Sequence, residues 1–115
     1  MSIRLRRYPF VVAGVGALLP LAPAAAAAPH TYTPHSYTVV IEKMKFGPLP
    51  AQLHKGDTIV WVNRDFLRHS ATAADHSFDV DLQPNKAGKT VLNKTGNIAF
   101  TCRYHPGMRG VLQVR

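Results

Sequence analysis

From residue 36 onward the apolar residues fall in short runs with almost no helical periodicity, and turn-forming residues interrupt them at short intervals. A period of two sends alternate side chains to opposite faces of a strand, whereas a helix would need apolar residues three and four apart. Short β-branched runs punctuated by Gly, Pro, Asn and Asp predict an all-β sandwich or barrel. Residues 37–41 read as the first strand, Phe46-Gly47-Pro48-Leu49-Pro50 as its break, and residues 51–53 as the start of another. Lys55-Gly56-Asp57 is a tight turn into a strand over 58–63. Apolar residues on both faces of that strand predict that little water reaches either, with Trp61 in the core.

Further along, residues 73–76 read as a polar loop and 78–82 as a short edge-like strand. Asn85-Lys86-Ala87-Gly88 turns the chain toward a strand over 90–92, and residues 93–97 turn it again. Ile98, Phe100 and Cys102 then share one face, which places Cys102 at the interior end of a strand, and residues 110–114 close the sheet. No internal repeat or second domain is visible.

The first 27 residues have a different character. Arg4, Arg6 and Arg7 precede an apolar stretch over 10–21 that is short for a membrane span, and small residues follow at 22–28. This is the pattern of a secretory signal peptide over 1–27, removed on export by the general or the twin-arginine route. Residues 28–36 read as a flexible lead-in, and 37–115 as the folded domain. The expected location is periplasmic or otherwise exported, with no stable membrane insertion after cleavage.

Composition narrows the class. The formal charge is +8, and losing the three leader arginines leaves eleven Lys and Arg against six Asp and Glu, a net +5. This balance favours an acidic partner surface. It does not indicate nucleic acid, because the basic residues are scattered singly instead of forming a run. A lone cysteine in an exported chain has no internal disulfide partner, so Cys102 needs another role.

That role is suggested by its neighbours. Cys102-Arg103-Tyr104-His105-Pro106-Gly107-Met108 sets a thiolate, an imidazole and a thioether on one short loop. These are donor types of a trigonal blue-copper site, which needs one further histidine. His69 is the best candidate, at the end of Trp61-Val62-Asn63-Arg64-Asp65-Phe66-Leu67-Arg68-His69. Asn63 and Asp65 are expected to hold that loop in shape, and His54 and His76 to be exposed and unligated. A structural zinc site is disfavoured, since a thioether is a poor zinc ligand.

The pairing of WVNRDFLRHS with FTCRYHPGMRGVLQV resembles the small single-domain cupredoxins, the blue copper proteins, over residues 36–114. The two-residue gaps on both sides of His105 are most similar to those of the amicyanin/plastocyanin-like family, on its amicyanin side; other plastocyanin-like and azurin-like members carry longer loops. The resemblance implies a cupredoxin-like Greek-key β-sandwich holding one type 1 copper ion on His69, Cys102, His105 and Met108. It further implies that the Ser70 N–H donates to the Cys102 thiolate, and that the edge of His105 is where electrons enter and leave. Where relatives often carry proline before the first histidine, this chain has Arg68, which changes the local rim charge.

The implied function is electron transport by Cu(II)/Cu(I) cycling in a monomer. The partners would be redox proteins, a donor dehydrogenase or cytochrome and an acceptor cytochrome or oxidase. A copper-handling protein that delivers or sequesters the ion with the same ligands is the alternative, and the small number of methionines weighs against it. An enzyme is not expected, because copper oxidases of similar fold carry further histidine-rich centres and additional domains.

Overall fold

The computed structural model describes residue 2 and residues 9–115. The arginines of the basic start lie outside the described residues. Residues 9–30 carry no regular secondary structure, and the apolar side chains of Phe10, Val12, Leu18 and Leu21 are exposed. Among the described residues, no helix is long and apolar enough to cross a membrane.

Residues from Thr31 onward form a sandwich of two four-stranded sheets. The strands are β1 (Ser36–Glu42), β2 (Lys45–Phe46), β3 (Thr58–Asn63), β4 (His69–Ala73), β5 (Asp79–Leu82), β6 (Ala87–Val91), β7 (Gly96–Thr101) and β8 (Arg109–Val114). One sheet runs β2-β1-β3-β6 and the other β5-β4-β7-β8. β1 and β3 pair in parallel, and every other pairing between these strands is antiparallel. β3 and β6 are neighbours although β4 and β5 intervene in the opposite sheet, which is a Greek-key connection.

The inner faces meet around an aromatic cluster. Phe100 on β7 lies 4.8 Å from Phe46 and 5.2 Å from Trp61, ring centroid to centroid, both in edge-on arrangements. Buried Trp61 satisfies its indole N–H on Thr90 Oγ1 at 3.0 Å, so the core holds no stranded donor there. Gly110 stands opposite Phe100 in the β7–β8 ladder, and a Cβ at that position would come within 2.6 Å of the Phe100 ring. Only glycine lets β8 pass so close beneath the ring.

Several expectations change. β3 buries Ile59, Trp61 and Asn63 and leaves Thr58, Val60 and Val62 partly exposed, so it is one-sided rather than dry on both faces. Residues 51–53 supply only a bridge from Leu53 to Val114. β6 starts at Ala87, inside the expected turn, because residues 87–91 pair fully with β3. His69 opens a strand and is not a loop residue: the small side chains of Ser70-Ala71-Thr72-Ala73 hide β4 from a hydrophobic-period reading but pair with β5 and β7. His54 is half-buried and stacks on Tyr32 with ring centroids 4.3 Å apart.

Asp57 ties the chain before β1 to the sandwich. Its fully buried carboxylate accepts from Tyr32 Oη at 2.6 Å, His35 N at 2.8 Å and His54 N at 2.8 Å. Within the segment read as a lead-in, Tyr32 and His35 are therefore anchored. Burial pushes the carboxyl upward, yet the three donors outweigh it and hold the group below its ordinary value of 3.8. A lowered folded pKa contributes stability that is present above the ordinary value and disappears as pH falls through the folded one. Asp57→Asn is expected to cost about 2 kcal/mol at neutral pH, with the gap to the parent protein closing in strong acid. Thermal unfolding of both proteins at neutral and acid pH checks this.

Candidate metal centre

The second sheet builds the site. β4 and β7 pair with Thr72 opposite Thr101, and this register carries His69 and Ser70 beside the chain leaving β7 at Cys102. The next residues fold into a compact turn. Met108 N donates to His105 O at 2.9 Å, and Cys102 N donates to Met108 O at 2.9 Å, which returns Met108 to the cysteine before β8 begins. Pro106 and Gly107 occupy the exposed tip.

Three of the four expected donors converge in side-chain geometry. His69 Nδ1 lies 3.7 Å and His105 Nδ1 3.6 Å from Cys102 Sγ, and the three atoms lie within 4.8 Å of one another. The fourth, Met108, is buried and is brought beside them by its backbone bond to Cys102. His69 and Cys102 are buried and His105 is half-buried, so one imidazole is nearer the surface than the other.

The spacing tests whether a metal suits these donors. An ion with bonds of about 2.0–2.3 Å to nitrogen and sulfur in a trigonal plane separates adjacent donors by about 3.7 Å. The two sulfur–nitrogen separations meet that requirement. A thiolate, two imidazoles and a thioether in reserve suit copper better than zinc, which has no use for the thioether.

A hydrogen-bonded frame surrounds the sulfur. Ser70 N donates to Cys102 Sγ at 3.4 Å, as the family resemblance implies. The Ser70 hydroxyl accepts from Arg103 N at 2.8 Å and shares a 2.9 Å bond with Thr72 Oγ1, which donates to Asp79 Oδ1 at 2.9 Å. The Arg103 guanidinium closes the ring by donating to the same Asp79 oxygen. The residue after the thiolate is thus held by its backbone and its side chain together.

Arg68 alters the rim less than its charge implies. It forms a two-pronged ion pair with Asp81 and lies over the Tyr104 ring, 4.7 Å from the centroid, while the Tyr104 hydroxyl donates to Asp81 at 3.0 Å. The Arg68 guanidinium, assisted by Tyr104, brings the Asp81 carboxyl down to about 2. Burial, and then the bond to Asp81, push the Tyr104 phenol upward. β5 thereby clasps the ligand loop from outside.

Asn63 does hold the β3–β4 loop: its Nδ2 donates to Leu67 O at 2.8 Å and Leu82 O at 3.0 Å, and its Oδ1 accepts from Asp65 N at 2.9 Å. Asp65 does more than shape the loop, because its Oδ2 lies 2.7 Å from His69 Nε2. Burial raises the Asp65 carboxyl, but bonds from Met44 N, His69 and Lys43 N prevail and leave it below the ordinary range. Only the Asp-x3-His spacing signalled that contact in the sequence. Phe46 is packed on Trp61 and Phe100, whereas Met44 is exposed.

Known proteins agree with this architecture. A model of the cupredoxin-like domain matches residues 11–114. No curated protein matches the chain. Among solved structures, the copper(I) form of a methionine-to-alanine variant of amicyanin is 26% identical, with a TM-score of 0.60 over 70% of this chain and 82% of that one. A copper(I) methionine-to-glutamine variant of amicyanin is 25% identical, with a TM-score of 0.59 over the same shares of the two chains. With the family model spanning nearly the whole chain and the donors spaced for one type 1 copper, the chain belongs to the cupredoxin family and is similar to amicyanin.

Proposed function

We propose that this cupredoxin is an exported single-electron carrier whose copper is held by His69, Cys102, His105 and Met108. The observation that carries this reading is the approach of two imidazole nitrogens to one buried sulfur at 3.6 and 3.7 Å. Similar amicyanin structures include reduced and oxidised forms, which supports a redox role. The copper ion supplies a one-electron Cu(II)/Cu(I) couple when bound.

The chain's own residues keep that couple cheap in reorganisation. His69 and Ser70 are fixed in a paired strand, and the Cys102–Met108 turn is closed by backbone bonds and braced from β5. Donors that cannot move far adopt one geometry in both redox states. The Ser70 N–H partly neutralises the thiolate, which favours the reduced state. Met108 would supply the weak thioether donor, and its burial keeps water from that side chain.

His105 is the ligand nearest the surface and thus the shortest route for an electron. Exposed Met44, Leu67 and Phe66 belong to the two turns bonded through Asp65, and they offer apolar surface for a brief encounter. The basic balance suits a redox partner with an acidic docking face, whose association slows as salt rises. Export follows from the leader: Arg4, Arg6 and Arg7, then an apolar stretch, then small residues.

Three variants test this assignment. The copper(II) protein is expected to be intensely blue or green and to bind one copper per chain, and Cys102→Ala to be colourless; visible absorption and metal analysis decide it. Met108→Gln is expected to lower the reduction potential, because amide oxygen favours copper(II), and Met108→Leu to raise it. Voltammetry checks both, and unchanged potentials in the pair would remove Met108 from the ligand set.

A further inference from the structure

The geometry points to Asp65 as a positioning residue that selects the metal-binding tautomer of His69 and biases the bound copper toward its oxidised state. This rests on the copper-site reading above and concerns a contact outside the four ligands. Asp65 Oδ2 is 2.7 Å from His69 Nε2, with the Asp65 side chain 11% exposed and that of His69 fully buried. His105 has no such partner: among the described residues, its only side-chain hydrogen-bonding contact is the Cys102 sulfur. The two imidazoles are therefore electrostatically unequal.

The carboxylate is held where it must act. Oδ1 accepts from Lys43 N at 2.8 Å and Oδ2 from Met44 N at 3.0 Å, while Asp65 N donates to Asn63 Oδ1. Lys43 and Met44 both have left-handed φ, 52° and 61°, a conformation stabilised here by capture of both N–H groups. Asp65 therefore cannot swing away from His69 without releasing this turn.

Two consequences follow for His69. A neutral imidazole carries one N–H and one lone pair, and an ionised carboxylate can only accept. The proton is thus required at Nε2, and the Nδ1 lone pair faces Cys102 Sγ, 3.7 Å away, before any ion arrives. The second consequence is electrostatic. A fixed negative charge one ring away from the metal, in a region poorly reached by salt, attracts the ion with the larger positive charge more strongly. Copper(II) gains more than copper(I), so Asp65 lowers the potential while Ser70 N–H raises it.

Asp65→Asn keeps the size of the side chain and one acceptor oxygen while removing the charge. Loss of an outer partner of a metal-bound histidine is expected to weaken copper(II) binding by about tenfold to a hundredfold, with copper(I) affinity falling less. The potential then rises by about 59 mV for each factor of ten by which the copper(II) loss exceeds the copper(I) loss. Affinities for the two redox states and voltammetry measure this, with Asp65→Glu, which restores the charge, returning the potential toward the parent value. A purely structural role would weaken both redox states alike and leave the potential unchanged, and that result would overturn the electrostatic assignment.

The tautomer is testable in the parent protein without copper or any variant. Ring nitrogen NMR of the metal-free protein is expected to show His69 with its proton on Nε2 and slow exchange of that proton. A proton on Nδ1, or rapid averaging of the two tautomers, would overturn the inference. Failure of the parent protein to develop colour with copper would instead defeat the copper-site reading, leaving the tautomer result to stand by itself.

Discussion

The pairing of β4 with β7 is the constraint on which the site depends. Only two residue pairs, Thr72 with Thr101 and Ala73 with Phe100, join these strands in the ladder. Yet that register decides whether His69 and Ser70 meet Cys102. A slip of one residue would turn every side chain of β4 to the opposite face and move His69 away from the sulfur. Phe100 anchors the same register from the core side, packed between Phe46 and Trp61 and accommodated over Gly110. The centre is therefore an outgrowth of the aromatic core, built on its last buried residues.

Around the sulfur the polar groups work as linked frames. The ring through Ser70, Thr72, Asp79 and Arg103 fixes the chain on both sides of the thiolate contact. The Asn63 and Asp65 bonds fix the loop before His69 and reach back to the β1–β2 turn. Charged side chains on exposed faces ordinarily contribute little to stability. Here Asp79 and Asp81 gain importance because their partners Arg103 and Tyr104 lie on the ligand loop itself.

Two opposing influences act on the couple. The Ser70 N–H at the thiolate favours the electron-rich reduced state, and the Asp65 carboxylate at His69 favours the oxidised one. The first comes from backbone and survives most substitutions. The second depends on one side chain, so position 65 is where a single change most readily retunes the centre without touching a ligand.

The sequence by itself determined the fold class, because short apolar runs without helical periodicity and with frequent turns admit little else, and it set the candidate donors Cys102, His105 and Met108 together on one loop. It also placed Asn63 as a loop brace, since Asn supplies both donors and an acceptor to nearby backbone. It did not disclose β4, whose Ser-Ala-Thr-Ala composition carries no hydrophobic alternation and becomes a strand only through its neighbours on both sides. Nor did it disclose the pairing of Arg68 with Asp81, thirteen residues away, or the contribution of Thr72 and Asp79 to the frame around the sulfur. The contact of Asp65 with His69 lay between these cases: the spacing was visible, but spacing within a loop does not say which way a carboxylate points. Tertiary structure decided that, because the N–H groups of Lys43 and Met44, brought in from the β1–β2 turn, hold the carboxylate against the imidazole.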